Sequence, residues 1–150
     1  MMSAVKSRDT KPEMIVRRGL HRRGFRFRLN ERRLPGRPDL VLARYRVAIF
    51  VHGCFWHGHD CPLFRWPKSR EEFWRAKILR NVERDEEVRD LIGEEGWRML
   101  TVWECTFRGK RSSVHDIALD RIAAWLAGDE DVGEIRGSED ATGRPAGLDG

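Results

Sequence analysis

An apolar run, Val47-Ala48-Ile49-Phe50-Val51, leads directly into His52-Gly53-Cys54-Phe55-Trp56-His57-Gly58-His59-Asp60-Cys61, and nothing else in the chain restricts its fold as much. The run reads as a buried strand. Residues 52–68 show no helical period, contain two prolines and crowd thiols and imidazoles together, so they form a long loop that needs an internal staple. Zinc takes four sulfur or nitrogen donors at tetrahedral corners. Two cysteines and a histidine within eight residues can supply three of them, and Cys105, at the end of a later strand, can close the fourth. Cys54, His59, Cys61 and Cys105 are the candidate ligands of a structural zinc, although spacing alone leaves His57 and His59 as alternatives and one of them over. Burial of Cys54 and Cys61 as small hydrophobes is the poorer explanation, because a glycine-punctuated polar loop is no apolar core. Three cysteines also cannot all pair, so reduced thiolates in the cytoplasm are expected.

Asp39, after Pro38 and at the head of a second apolar run, is a hard oxygen donor. A strand-borne carboxylate of this kind commonly holds Mg2+ beside a phosphate. A turn-forming Pro-Asp is the ordinary explanation of the dipeptide; the nearby spare imidazole strengthens the metal reading. Charge points the same way. Residues 1–50 carry fourteen Lys and Arg against four Asp and Glu, residues 51–126 balance at thirteen each, and residues 127–150 hold two against seven. An excess of ten positive charges in the first third, nearly all arginine, suits a polyanion through counterion release and guanidinium–phosphate geometry. DNA cleavage is the chemistry these features suggest together. No apolar run could span a bilayer, and no apolar signal segment follows the basic amino terminus.

The length fits one domain with a real core. Thr10-Lys11-Pro12-Glu13 looks like a capping box opening a helix over residues 11–23. Phe25 to Leu29 alternates as a half-buried strand, and residues 39–42 and 47–51 fit a hairpin of central strands. Ser69-Arg70-Glu71-Glu72 reads as a second capping box, opening a charged helix that Gly96 closes. Trp97 to Glu104 is a third core strand, and residues 113–127, with a Ser cap, a last helix. Residues 1–127 are expected to form the domain and residues 128–150 an acidic disordered tail.

Four blocks make a more specific statement: Leu34-Pro35-Gly36-Arg37-Pro38-Asp39; Ile49 through His57; Glu72-Phe73-Trp74 with Lys77 and Asn81-Val82-Glu83-Arg84-Asp85; and Gly96-Trp97-Arg98 with Val102-Trp103-Glu104-Cys105. In order, over about residues 2–127, the chain resembles the very-short-patch-repair (Vsr) mismatch endonucleases. The resemblance implies an α/β, restriction-endonuclease-like fold, a mixed central sheet flanked by helices with a structural zinc. The implied activity is nicking of one strand of double-stranded DNA beside the thymine of a T:G mismatch left by deamination of 5-methylcytosine. It puts the Mg2+ carboxylate at Asp39, with the main-chain carbonyl of Val51 as companion, and the catalytic histidine at His57, which leaves His59 to zinc. Glu13 and Asp85 match two further acids, placed to hold His57 or the water at the metal. An imidazole suits a general base because its ordinary pKa lies near working pH. Phe55, Trp56 and Trp74 match an aromatic wedge that enters the base stack beside the mispair, and Lys77 and Asn81 match positions that approach base edges. Trp66, Trp97, Trp103 and Trp125 are assigned to packing.

The wider nuclease superfamily would place an acid and a lysine on the second strand of the hairpin. Val51-His52 stands there instead, so metal binding leans on Asp39. The family also implies an amino-terminal arm reaching into DNA. This chain begins where that arm is expected to end, so either its start lies upstream or its grip on DNA is looser, with the arginine-rich first third as candidate compensation. A monomer near the nucleoid is expected, with accessory mismatch-repair proteins as possible partners. Two alternatives stay open: a relative making double-strand breaks, and a zinc-bearing module that binds DNA without cutting it. Glu13, Asp39, His57 and Asp85 together favour an enzyme over a binder.

Overall fold

The computed structural model describes residues 10–137. In order these form helix α1 (Lys11–Arg22), strands β1 (Arg28–Leu29), β2 (Leu40–Leu42) and β3 (Val47–His52), helix α2 (Glu71–Glu94), strand β4 (Arg98–Trp103), helix α3 (Ser112–Ala127) and strand β5 (Val132–Ile135). The strands make one sheet in the order β1-β2-β3-β4-β5, antiparallel as far as β3 and parallel beyond it, so the sheet is mixed.

Side-chain alternation along β3 sorts the layers. Val47 and Ile49 join Leu100 and Val102 of β4 against Val16 and Leu20 of α1 and Leu119, Ile122 and Leu126 of α3. Ala48 and Phe50 turn the other way, with Met99, onto Val88 and Ile92 of α2. The sheet is therefore covered by α1 and α3 on one face and by α2 on the other, a three-layer α/β arrangement. α2 is long and mostly charged, yet Trp74, Ile78, Asn81, Asp85, Val88 and Ile92 recur every three or four residues and lie at least partly buried. That stripe lets the helix anchor itself by its aliphatic residues and aim polar ones at the sheet.

Thr10 caps α1 as expected, its hydroxyl accepting from the Glu13 N–H at 3.4 Å. The Glu13 carboxylate accepts from Arg17 at 2.6 Å. The Ser caps expected for the other two helices do not form. α2 begins after Arg70 in a left-handed conformation, and α3 after Arg111, neither with a side-chain cap bond. The strand expected over residues 25–29 pairs only at Arg28 and Leu29, because β2 offers just three residues and the register reaches no further. Phe25 and Phe27 nonetheless pack on the core.

The expected boundary at residue 128 also needs correction. Residues 132–135 form β5 on the free edge of β4, and Ile135 is buried. The segment is short, acidic around a central glycine and has one deeply buried side chain, so its pattern carries little strand signal; the open edge of β4 recruits it. Residues 138–150 of the expected tail lie outside the described residues. β5 depends on Gly133, where an added Cβ would stand 2.2 Å from Nε1 of Trp125. Gly133→Val is expected to cost about 2 kcal/mol by overpacking, read as a lower denaturant midpoint. No helix among the described residues is long and apolar enough to cross a membrane.

Candidate active site and metal centre

Between the loop of residues 30–39, β3 and α2 lies a cleft of about 1070 Å³, and Asp39, His57 and Asp85 all line it. Asp39 is fixed from two sides. Its main-chain carbonyl accepts from Asn30 at 3.1 Å, and its Oδ2 accepts from the Val51 N–H at 2.7 Å. Burial pushes its carboxyl up to about 7; the Val51 hydrogen bond opposes the rise, the Glu13 charge adds to it, and the Arg17 and His57 charges oppose it. A half-desolvated carboxylate in an open polar cleft suits a divalent cation, which would hold it in its charged form.

His57 sits in the loop after β3, its Nδ1 2.6 Å from Oδ2 of Asp85 on α2. That contact fixes the ring and leaves Nε2 as the other nitrogen. His52 lies parallel against it, with ring centroids 3.7 Å apart and planes 3° from parallel. Burial holds His52 well below the ordinary imidazole range, and the neighbouring His57 and His59 add to this, so His52 is neutral. His52 had no role assigned from sequence. Its signal was its place at the end of β3 in the same phase as Ala48 and Phe50. Glu13 is 2% exposed on α1, paired with Arg17, and is not among the residues of the cleft wall; it acts on Asp39 through charge.

The second cluster is sulfur-rich. Donor atoms of Cys54, His59, Cys61 and Cys105 all lie within 4.8 Å of one another, with His57 outside the set. Cys105 Sγ is 3.7 Å from Nδ1 of His59 and accepts from the Gly137 amide at 3.3 Å. The hydrogen bond from Cys54 draws the Cys105 thiol down to about 4, helped by His59 and Gly137 against burial. Cys54 is pushed up in turn, first by that same bond and then by burial. Three thiols around one buried imidazole, with one sulfur already favouring thiolate, fit a soft divalent ion such as zinc.

Trp103, expected only to pack, lies face to face on His59 at 3.9 Å and edge-on to His52 at 5.3 Å, so it joins the two clusters. Its Nε1 donates to Glu134 of β5 at 2.8 Å. Glu104 accepts from the Cys54 N–H at 3.2 Å and anchors the loop from below. Phe55, Trp56 and Trp74 are half-buried against one another, with ring centroids 5.2 to 5.6 Å apart. Trp66 extends the group through Phe64 and carries Arg75 over its face at 4.2 Å. Lys77 is half-buried on α2, and one turn on, Asn81 donates to the Trp56 carbonyl at 2.9 Å. The Asn81 amide therefore holds the aromatic loop in the free protein.

A mixed α/β sheet with a buried carboxylate and a carboxylate-oriented imidazole in one cleft, beside a Cys/His cluster, has the build of a nuclease. Residues 1–63 match the family described as DNA mismatch endonuclease Vsr. The chain is 44% identical over 128 residues to the DNA mismatch endonuclease Vsr of Escherichia coli (strain K12), covering 85% of this chain and 82% of that protein. It is 48% identical over 105 residues to the type II nicking enzyme V.XorIIP of Xanthomonas oryzae pv. oryzae, covering 70% and 77% of the two chains. To the type II nicking enzyme V.NmeAIP of Neisseria meningitidis it is 43% identical over 110 residues, covering 73% and 79%. The chain belongs to the Vsr DNA mismatch endonuclease family.

Proposed function

We propose that this protein nicks one strand of double-stranded DNA beside the thymine of a T:G mismatch arising from deaminated 5-methylcytosine, in very-short-patch repair. The observation that carries the reading is the 2.6 Å His57–Asp85 contact in the same cleft as Asp39. Asp39 and the Val51 carbonyl would hold Mg2+, which supplies positive charge next to the phosphate as negative charge develops there. His57 takes the proton of the attacking water through Nε2, while Asp85 fixes the ring and stabilises the imidazolium. Glu13 keeps negative charge behind Asp39, and neutral His52 supports the ring without adding a competing cation. Zinc on Cys54, His59, Cys61 and Cys105 is structural: it ties down the loop that presents His57.

Phe55, Trp56 and Trp74 form the wedge that enters the stack, where a mispair resists least. Lys77 and Asn81 approach base edges. The Asn81 amide must first release the Trp56 carbonyl, which links base reading to movement of the wedge. The protein acts as a monomer near the nucleoid, open to stimulation by mismatch-repair proteins. Trp56→Ala is expected to lower kcat/KM on a T:G duplex by about 10- to 100-fold, the worth of one lost base–aromatic stack; nicking rates beside a binding measurement on matched DNA check it. The whole reading is tested by incubating the protein and Mg2+ with labelled duplexes carrying each single mispair and mapping the products. A nick confined to the thymine strand of T:G is expected. Cutting of both strands, or binding without any cut, would contradict it.

A further inference from the structure

Among the described residues, four other than glycine hold a positive φ: Asn30, Arg37, Arg46 and Arg70. Such a backbone costs free energy for a side chain that is not small and polar, so it persists where surroundings or function require it. Three have visible reasons. Asn is a tolerant residue type, and Asn30 bonds Asp39 through its amide. The Arg46 guanidinium lies over Trp97 and donates to the Gly96 carbonyl at 3.2 Å, and that of Arg70 lies over Phe73. Arg37, at φ 54°, has none: among the described residues its side chain is exposed and makes no hydrogen bond or ion pair.

The turn that carries Arg37 is rigid. Its N–H donates to the Leu34 carbonyl at 3.1 Å, and Gly36 presses so closely on α2 that a Cβ there would lie 2.5 Å from Val88. The next two residues are Pro38 and Asp39, and Arg37 itself lines the cleft that holds Asp39 and His57. Across the cleft on α2, Arg84 likewise lacks a partner among the described residues. Arg32, in the same cleft wall, also has no partner among the described residues, while Arg23, Arg33, Arg75, Arg108 and Arg136 meet carboxylates. Three guanidinium groups without a partner among the described residues thus line a cleft that also contains two carboxylates, with Arg37 beside Asp39 in sequence and Arg84 beside Asp85. They lose no ion pair when they bind an anion, and their planar donors match phosphate oxygens.

We propose that Arg37 and Arg84 grip the non-bridging oxygens of the DNA phosphates in the cleft, Arg37 at the phosphate that is cut, and that the positive φ of Arg37 is kept for this contact. The proposal rests on the cleft being the nuclease site. Arg37→Gly separates the two roles of the residue, because glycine accepts the same φ while losing the guanidinium. The variant is expected to melt at or above the wild-type temperature and to nick a T:G duplex with kcat/KM about 100-fold lower. Its affinity for matched duplex, measured without Mg2+ across a salt series, is expected to depend less steeply on salt, by about one phosphate contact. Arg37→Lys should recover much of the salt dependence and little of the rate. An unchanged salt slope in Arg37→Gly overturns the contact, and a lowered slope with wild-type nicking overturns its place at the phosphate that is cut. Should that variant fail to fold, Arg37→Asn, which also tolerates this φ, makes the same test. If the wild type nicks no mispair, the nuclease reading fails, and the salt slope still decides the contact.

Discussion

Asp39→Asn is expected to abolish nicking, by at least about 1000-fold, while making the metal-free protein more stable at pH 8. The two effects share one cause. Burial raises the Asp39 carboxyl from 3.8 to about 7, so between those values the folded chain binds a proton that the unfolded chain does not. Stability from this group is full below about pH 4, declines as pH rises toward 7, and is lost above it. At pH 8 the buried carboxylate costs on the order of 2–4 kcal/mol, and the neutral amide removes that cost while its oxygen can still accept from Val51. Thermal unfolding without added Mg2+ should show the variant higher by on the order of 10 °C at pH 8, with the gap closing at pH 4. A divalent cation inverts the balance by binding the charged form. Mg2+ should therefore stabilise the wild type and leave the variant unmoved, and apparent Mg2+ affinity should weaken about tenfold per pH unit below 7. Equal melting of the two proteins at pH 8 would contradict the electrostatic account, and retained nicking by the variant would remove Asp39 from the site.

Stripping zinc, or replacing Cys105 by Ser, is expected to lower the melting temperature by on the order of 15 °C, the loss of about 5 kcal/mol of metal-coupled folding energy. Elemental analysis should find about one zinc per chain after purification without chelator. The ligands come from the loop after β3 and from the turn after β4, and Gly137 beyond β5 donates to Cys105. Removing the ion would leave three thiols and an imidazole crowded within 4.8 Å of one another. Nicking should fall with the metal, because the ion would join the loop that carries His57 to the turn after β4, adding to the hydrogen bonds that loop makes with Glu104, Asp85, Asn81 and Arg136. A zinc-free protein with an unchanged melting temperature would end this assignment.

Much of this arrangement was legible because its signals are local. Thr10 and Pro12 mark the start of α1, Gly96 follows the end of α2, and the apolar runs at residues 40–42 and 47–52 pair as the hairpin they suggest. The three thiols of the sulfur cluster could be read from spacing because ligand types are few, whereas the choice of His59 over His57 came only from the family resemblance. What sequence missed depends on neighbours distant along the chain. β5 exists because β4 has a free edge, not because Val132–Ile135 prefers a strand. Trp103 and His52 look like strand residues, and only the parallel register that sets them opposite each other turns them into the bridge between the two side-chain clusters. Asn81 shows the reverse error of scale: its match to a base-reading position says nothing of the Trp56 carbonyl it holds in the free chain.

The parallel pairing of β3 with β4 has a consequence for biosynthesis. His57 emerges from the ribosome long before Cys105, and between them lies the whole of α2. Non-local pairing of this kind forms late, after its loop-closure entropy has been met. Until residue 105 is out, the loop that presents the imidazole lacks its tie to the turn after β4, and β3 has no parallel partner. Cutting competence is therefore expected only after that turn has been made.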